Sequence, residues 1–341
     1  VTVQSETVWR LALNNYGNIK RARMLEDKQV KKYGFGIDVG GTTVKVGFFE
    51  TSGKLLDKWE IKTNTANGGE AILPDIAKAI DEKLDKEGIS KDDVQGVGIG
   101  VPGPVLSSGV VTVCVNLGWK NVDVAGTLSG LTGLPVKVGN DANVAGLGET
   151  WQGGAKGSRD VVMVTLGTGV GGGIIVDGKM VAGANGAGGE IGHLNVCEDE
   201  SEACNCGQHG CLEQYTSATG VVRMAKRKLA KTTEETSLRK FEDLTAKDVF
   251  DEAKAGDKVA LEIVDEVCEI LGKALGKIAC VVNPEVFVIG GGVSKAGQIL
   301  IDTIKKYYVP NTFSSCKDAR FELASLGNDA GMYGCMCLVL D

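Results

Sequence analysis

Apolar residues recur along the chain in short runs suited to strands, alternating with longer stretches in which they recur every three to four positions, and that alternation predicts a mixed α/β fold. The run Gly34-Phe-Gly-Ile-Asp-Val-Gly-Gly is followed at once by Thr42-Thr-Val-Lys-Val-Gly-Phe-Phe, so the glycines predict a hairpin turn, and Lys58 to Thr63 predicts a third strand. Ile72, Ile76, Ile80 and Leu84 fall on one face of a helix expected from about Glu70 to Lys86. Strands are expected at Val94–Val101, Val110–Val115 and Pro135–Val138, with a short helix from about Asp123 to Leu131. The Pro135 strand ends in Gly139-Asn-Asp-Ala-Asn, and a helix starts immediately. Asp160 to Val181 reads as a long hairpin, and helices follow at about 211–230, 245–255 and 257–282. Strand Val286–Ile289, helix Lys295–Tyr308, strand Arg320–Ala324 and helix Asp329–Leu340 close the chain. Strand–glycine–strand hairpins near 40 and near 168 suggest a duplicated unit.

At 341 residues the chain is long enough for two domains, and a formal charge of −7 argues against a general nucleic-acid surface. No apolar run approaches a bilayer span, and no signal peptide pattern precedes the first strand, so no membrane partner is expected. Ten cysteines lie scattered, six of them mostly in apolar stretches where a thiol behaves as a small hydrophobe, which points to a reducing cytoplasm. Residues 1–32 form a basic leader (Lys20, Arg21, Arg23, Lys28, Lys31, Lys32) expected to be poorly ordered, with Met24 a candidate native start. The 49 glycines gather beside strands and therefore do not mark a flexible linker.

Three glycine-rich turns sit at strand ends, at 40–41, 167–173 and 290–292, two of them with adjacent threonines, Thr42 and Thr168. Successive amides without Cβ atoms make anion-binding nests, so together these turns suggest a nucleotide's phosphates held by hairpins. Two named motifs are excluded. Gly167-x-Gly-x-x-Gly172 matches the dinucleotide fingerprint, but Ile174-Ile-Val continues as a strand where that motif opens a helix, and no Gly-x-x-x-x-Gly-Lys-Ser/Thr sequence exists. Asn140 or Asp141 serves as a helix N-cap on the plain reading; on the functional reading, a carboxylate at a strand's C-terminal end faces a crevice where such folds place their chemistry.

The densest chemistry lies between Gly188 and Glu213. His193 is followed by Cys204, Cys206 and Cys211, a donor set suited to a closed tetrahedral zinc site. Gly207 and Gly210 permit the tight turns, and Glu190 and Glu213 bracket the ligands. His209, the chain's other histidine, lies inside the cysteine knot and is an alternative fourth ligand.

Asp38-x-Gly-Gly-Thr42-x-x-Lys45, Asn140-Asp-Ala-Asn143, Thr165-Leu-Gly-Thr-Gly-Val-Gly-Gly-Gly173, Gly188-Gly-Glu-Ile-Gly-His193, Cys204-x-Cys-Gly-x-x-Gly-Cys211-x-Glu213 and Gly290-Gly-Gly-Val-Ser294 together resemble the ROK family of repressors and sugar kinases. The likeness runs over about 34–341, and the cysteine motif is its most specific part. The resemblance implies an actin-like, ribonuclease-H-like α/β fold of two domains, 33–150 with 325–341 and 151–324, around a cleft for ATP and sugar. It implies ATP-dependent phosphorylation of glucose at the 6-hydroxyl, with Asp141 as general base. Gly103, Asn116, Asn140, Asp141, Glu190, His193 and Glu213 match sugar contacts. Gly40, Gly41, Thr42, Thr43, Lys45, Gly167, Thr168, Gly169, Gly290, Gly291 and Gly292 match the nucleotide-binding turns, and Asp38 matches the position near Mg2+. The family pattern makes His193, Cys204, Cys206 and Cys211 ligands of a structural Zn2+, and the family's members are homodimers or homotetramers. Kinases for N-acetylmannosamine or fructose, and a polyphosphate-using enzyme, are the neighbouring readings. A DNA-binding regulator needs a second half of a helix-turn-helix for which some 32 leading residues leave no room. A catalytically silent sugar sensor is disfavoured by the intact Asp141 and the three glycine turns.

Overall fold

Two five-stranded sheets of the same design carry the chain. In the first, β1 (Tyr33–Val39) and β2 (Thr43–Glu50) pair antiparallel with Asp38 opposite Lys45, and β3 (Leu55–Lys62) extends the edge. β4 (Val94–Val101) then pairs parallel with β1. A two-stranded ribbon, β5 (Val110–Cys114) with β6 (Trp119–Asp123), stands apart from the sheet, and β7 (Val136–Asn140) completes it, parallel to β4. The strand order is β3-β2-β1-β4-β7. The second sheet uses β8 (Val161–Leu166), β9 (Val170–Val176), β10 (Lys179–Met180), β11 (Val286–Gly290) and β12 (Arg320–Leu323) in the order β10-β9-β8-β11-β12. Edge strand, hairpin, then two parallel strands: the second sheet repeats the first, which is the duplication the two glycine hairpins suggest. The chain is seen here in a computed structural model that describes residues 30–340; most of the basic leader, with Lys20, Arg21, Arg23, Met24 and Lys28, lies outside the described residues.

The helices follow local chemistry. α1 (Ile72–Glu87) buries Ile72, Ile76, Ile80 and Leu84 and stops at Gly88, whose left-handed φ of 66° returns the Gly88 N–H to the carbonyls of Leu84 and Asp85. α2 (Val124–Thr132) is capped by Asp123, and α3 (Asp141–Gln152) by Asn140. α4 (Ala218–Lys231), α5 (Ala246–Lys254) and the 25-residue α6 (Lys258–Val282) cover the second sheet, followed by α7 (Gln298–Tyr308) and α8 (Ala330–Leu338). Three expectations need correction. The helix expected at 211–230 is broken: a single turn at Glu213–Thr216 ends at extended Ser217, whose hydroxyl caps α4. The helix expected from Lys295 begins at Gln298, because Gly297 turns the chain with φ 75°. β6 has too short an alternation to be read as a strand, yet it pairs along β5. No helix among the described residues is long and apolar enough to cross a membrane.

α8 locks the first sheet to α3. It lies so close that a Cβ on Gly98 of β4 would overlap the carbonyl of Cys335, and one on Gly334 would overlap the carbonyl of Val144 in α3. The Cys335 thiol donates to the Ile37 carbonyl at 3.0 Å, so the helix also hydrogen-bonds the sheet it rests on. Gly334→Ala is expected to lower stability by about 1–3 kcal/mol through overpacking. Urea denaturation would measure it, and an unchanged midpoint would show that the crossing can relax.

Candidate active site

The C-terminal ends of β1 and β7, the β8–β9 turn, the segment after β10 and the start of α8 converge on an open cleft of about 540 Å³. Its walls bring together Asp38, Lys45, Asp141, Gly167, Gly169, Glu190, His193 and Glu213, eight of the residues singled out from the sequence. Four carboxylates here face one lysine.

Asn140 is the helix N-cap, and Asp141 shares only the first amide with it. The Asn140 side chain accepts from the amides of Ala142 and Asn143, at 3.1 and 3.2 Å, and donates to the Gly103 carbonyl at 3.1 Å. Asp141 keeps one local bond, from the Ala142 amide at 2.8 Å. Burial pushes the Asp141 carboxyl above the ordinary carboxylate range; the Ala142 amide opposes that shift, and the charges of Asp38 and Glu190 add to it. Asp38 is also pushed up by burial, offset by Lys45. The Lys45 ammonium lies 3.9 Å from Asp38 and donates to the Asn328 carbonyl at 3.0 Å.

The hairpin turns are stiff. Gly40 N–H donates to Thr43 O at 2.9 Å, and Thr63 holds both Gly40 and Thr42 carbonyls. Gly167 N–H donates to Gly169 O at 3.0 Å, while Thr219 holds the Thr168 carbonyl at 2.7 Å. Gly290, Gly291 and Gly292 are not among the cleft's lining residues. Gly291, with φ 81°, is exposed just past β11, where a Cβ would overlap the Leu166 carbonyl, and Gly292 is exposed as well. Gly40, Gly41, Thr42, Thr43, Gly103, Asn116, Asn140 and Thr168 likewise lie outside the lining, although Gly41 sits beside Asn116 and Asn140 adjoins Asp141.

His193, Cys204, Cys206 and Cys211 place one donor atom each within 4.8 Å of one another. The Cys206 and Cys211 sulfurs are 3.6 Å apart, close to the roughly 3.8 Å edge of a tetrahedron with metal–sulfur bonds of about 2.3 Å. The donor set therefore fits a tetrahedral zinc ion. His209 is not in the group; its Nδ1 lies 3.1 Å from the Glu200 carbonyl. Glu213 joins the knot to the cleft. Its Oε1 accepts from Cys204 Sγ at 2.9 Å and lies 3.8 Å from His193 Nδ1, and its Oε2 accepts from the Val170 amide at 3.4 Å.

Two features escaped the sequence reading. Gly327, Asn328, Ala330 and Gly331 form one wall of the cleft, brought there by the return of α8. Glu149, fully buried, accepts from the amides of Gly154, Ser325 and Leu326 at 2.8–3.0 Å and so pins the strand-to-helix turn that carries this wall to α3. An acid alone among Ala142–Thr150, a run otherwise free of charge, was the available signal.

The ROK family model matches residues 34–341. A glucokinase of Halalkalibacterium halodurans is 45% identical over 88% of this chain and 92% of its own length, and one of Thermotoga maritima is 37% identical over 89% and 96%. The crystal structure of a ROK family glucokinase from Streptomyces griseus, in complex with glucose and AMPPNP, superposes with a TM-score of 0.69 at 33% identity, covering 90% of this chain and 98% of that one. The chain belongs to the ROK family, and its fold is the actin-like fold of the ROK sugar kinases.

Glu149→Gln would turn an amide NH2 toward donors that need an acceptor, and is expected to cost about 1–3 kcal/mol. Faster hydrogen exchange at Ser325 and Leu326 is the accompanying local signature; unchanged exchange there would remove the pinning role.

Proposed function

We propose that the cleft phosphorylates glucose at its 6-hydroxyl with ATP as donor, and that Asp141 is the general base. The chain is a hexose kinase; the choice of glucose rests on its likeness to the glucokinases above. The observation that carries the chemistry is Asp141 itself. It is a half-buried carboxylate at the C-terminal end of a strand, next to the helix N-cap Asn140 and aimed into the cleft.

Phosphoryl transfer needs positioning, charge neutralisation and one residue to orient the nucleophile. Asp141 would accept the proton of the sugar hydroxyl as that oxygen bonds to the γ-phosphorus and the bond to the β,γ-bridging oxygen breaks, releasing ADP, and burial makes the Asp141 carboxylate a stronger base. Glu190, His193 and Glu213, with Asn116, Asn140 and the Gly103 backbone, would hold the sugar hydroxyls. Lys45 and the amides of the 40–43, 167–169 and 290–292 turns would meet the nucleotide. Mg2+ bound with ATP would neutralise phosphate charge beside Asp38 in a cleft rich in carboxylates. A structural Zn2+ on His193, Cys204, Cys206 and Cys211 would hold His193 directly and Glu213 through the chain from Cys211, and would take no part in the transfer; with Cys204 bound as thiolate, its bond to Glu213 would be given up. We read the two sheets as two lobes, 33–150 with 325–341 and 151–324, on either side of the reaction.

A coupled ADP-release assay with MgATP and glucose, N-acetylmannosamine, fructose and mannose is expected to show strong preference for glucose; no turnover with any sugar would overturn the reading. Asp141→Asn should lower kcat by about 10²–10⁴-fold while glucose still binds. Because burial raises the Asp141 pKa, the charged form weakens the fold as pH rises through that value, so the Asn variant should melt no lower than wild type at neutral pH. For the same reason the acid limb of kcat/KM should fall above the ordinary carboxylate range. Elemental analysis should find zinc in the purified protein and lose it in Cys206→Ser, with weaker glucose binding; unchanged metal content in that variant would sink the zinc assignment.

A further inference from the structure

Between His193 and Cys204 the chain makes an excursion of ten residues, and a metal at its two ends would leave the middle untethered. What holds the middle is Glu200. Its side chain is 3% exposed, and its carboxylate is met from three directions. Arg227 grips it bidentately, at 2.9 and 3.0 Å. Arg223, one turn earlier on α4, approaches to 2.7 Å. The Tyr215 hydroxyl donates at 2.5 Å. These bonds hold the Glu200 carboxyl far below its ordinary range, the Arg227 guanidinium foremost.

The tether continues toward the cleft. Glu202 bonds the same two arginines, at 3.0 and 2.9 Å. Gln214 donates to the Glu202 carbonyl at 2.9 Å and accepts from the Cys211 amide at 3.0 Å, and its own carbonyl accepts from Arg223 at 3.2 Å. Gln214 directly follows Glu213, the carboxylate that reaches both the knot and the β8–β9 turn. None of the atoms in this network belongs to the metal-donor group. Two acids and two arginines neutralise one another, and the planar guanidinium fixes geometry as well as distance.

We propose that Glu200 and Arg227 are positioning residues for the sugar site, forming a clamp, separate from the metal, that sets Glu213 and the His193 limb through α4. This rests on the reading of the cleft as a sugar site. The clamp works through a supporting shell, where losses of about 10–100-fold accompany removal of one partner. It acts on sugar binding rather than on phosphoryl transfer, so its loss should raise KM and spare kcat.

The test uses the full chain with its metal, as Arg227→Met, Arg227→Lys, Glu200→Gln and the Arg227→Met/Glu200→Gln double variant. Expected for Arg227→Met are unchanged zinc content, a glucose KM raised about tenfold, near wild-type kcat and ATP KM, and faster hydrogen exchange at 194–203 and 211–214. The Lys variant should recover part of the loss, and the double variant should be no worse than the worse single one. A folded Arg227→Met with unchanged glucose KM and unchanged exchange would overturn the proposal. So would a collapse of the melting temperature in both Arg227→Met and Glu200→Gln, because the pair would then serve global stability. If wild type phosphorylates no sugar, the kinase reading fails, and the hydrogen-exchange arm alone decides whether the clamp exists.

Discussion

The backbone-to-backbone contact of α8 with α3 and with β4 is the constraint on which the rest of the molecule depends. Gly98 and Gly334 remove the side chains that would hold these elements apart. Because the contact is that close, the chain's last helix can rest on its first sheet and still touch the helix that carries Asp141. The turn before α8 is thereby delivered to the cleft as a wall, with Asn328 against Lys45 and Glu149 holding the turn from beneath. Asp38 reports how tightly this is done: a Cβ on Gly331 would come within 2.8 Å of its carboxyl carbon. Cleft geometry and fold stability here draw on the same few contacts.

Charge makes a second constraint. Asp38, Asp141, Glu190 and Glu213 share one cleft with Lys45, in a chain of net charge −7. A nucleotide triphosphate entering alone would meet repulsion at short range, in a partly buried setting where screening is weak. A partner that carries positive charge with it would relieve that repulsion. Burial, with the charges of Asp38 and Glu190 adding to it, raises the basicity of Asp141 in the same crowded setting.

Features written into neighbouring residues were legible in the sequence; features made by distant ones were not. The two glycine hairpins, the α1 stripe of Ile72, Ile76, Ile80 and Leu84, and the His–Cys knot follow from local spacing, and the structure forms each of them. The choice between Asn140 and Asp141 as cap stayed open because it turns on side-chain direction, which spacing does not carry. Gly290–Gly292 reads as a third glycine turn by composition, and β11 ends there, with Gly291 beside the Leu166 carbonyl and Gly292 in open space. The cleft wall at 327–331 joins residues nearly three hundred positions from Lys45, and the Arg227–Glu200 pair spans 27. No periodicity reaches across such separations.

The glycines at the α8 crossing also limit how this protein can change over generations. Any replacement of glycine adds at least one carbon, and at Gly98 and Gly334 that carbon would meet a carbonyl group of the opposing backbone rather than a side chain able to rotate away. Drift at such a position requires two helices or a helix and a sheet to separate first. These sites are mutational dead ends. A lineage on this scaffold thus keeps the α8 crossing frozen.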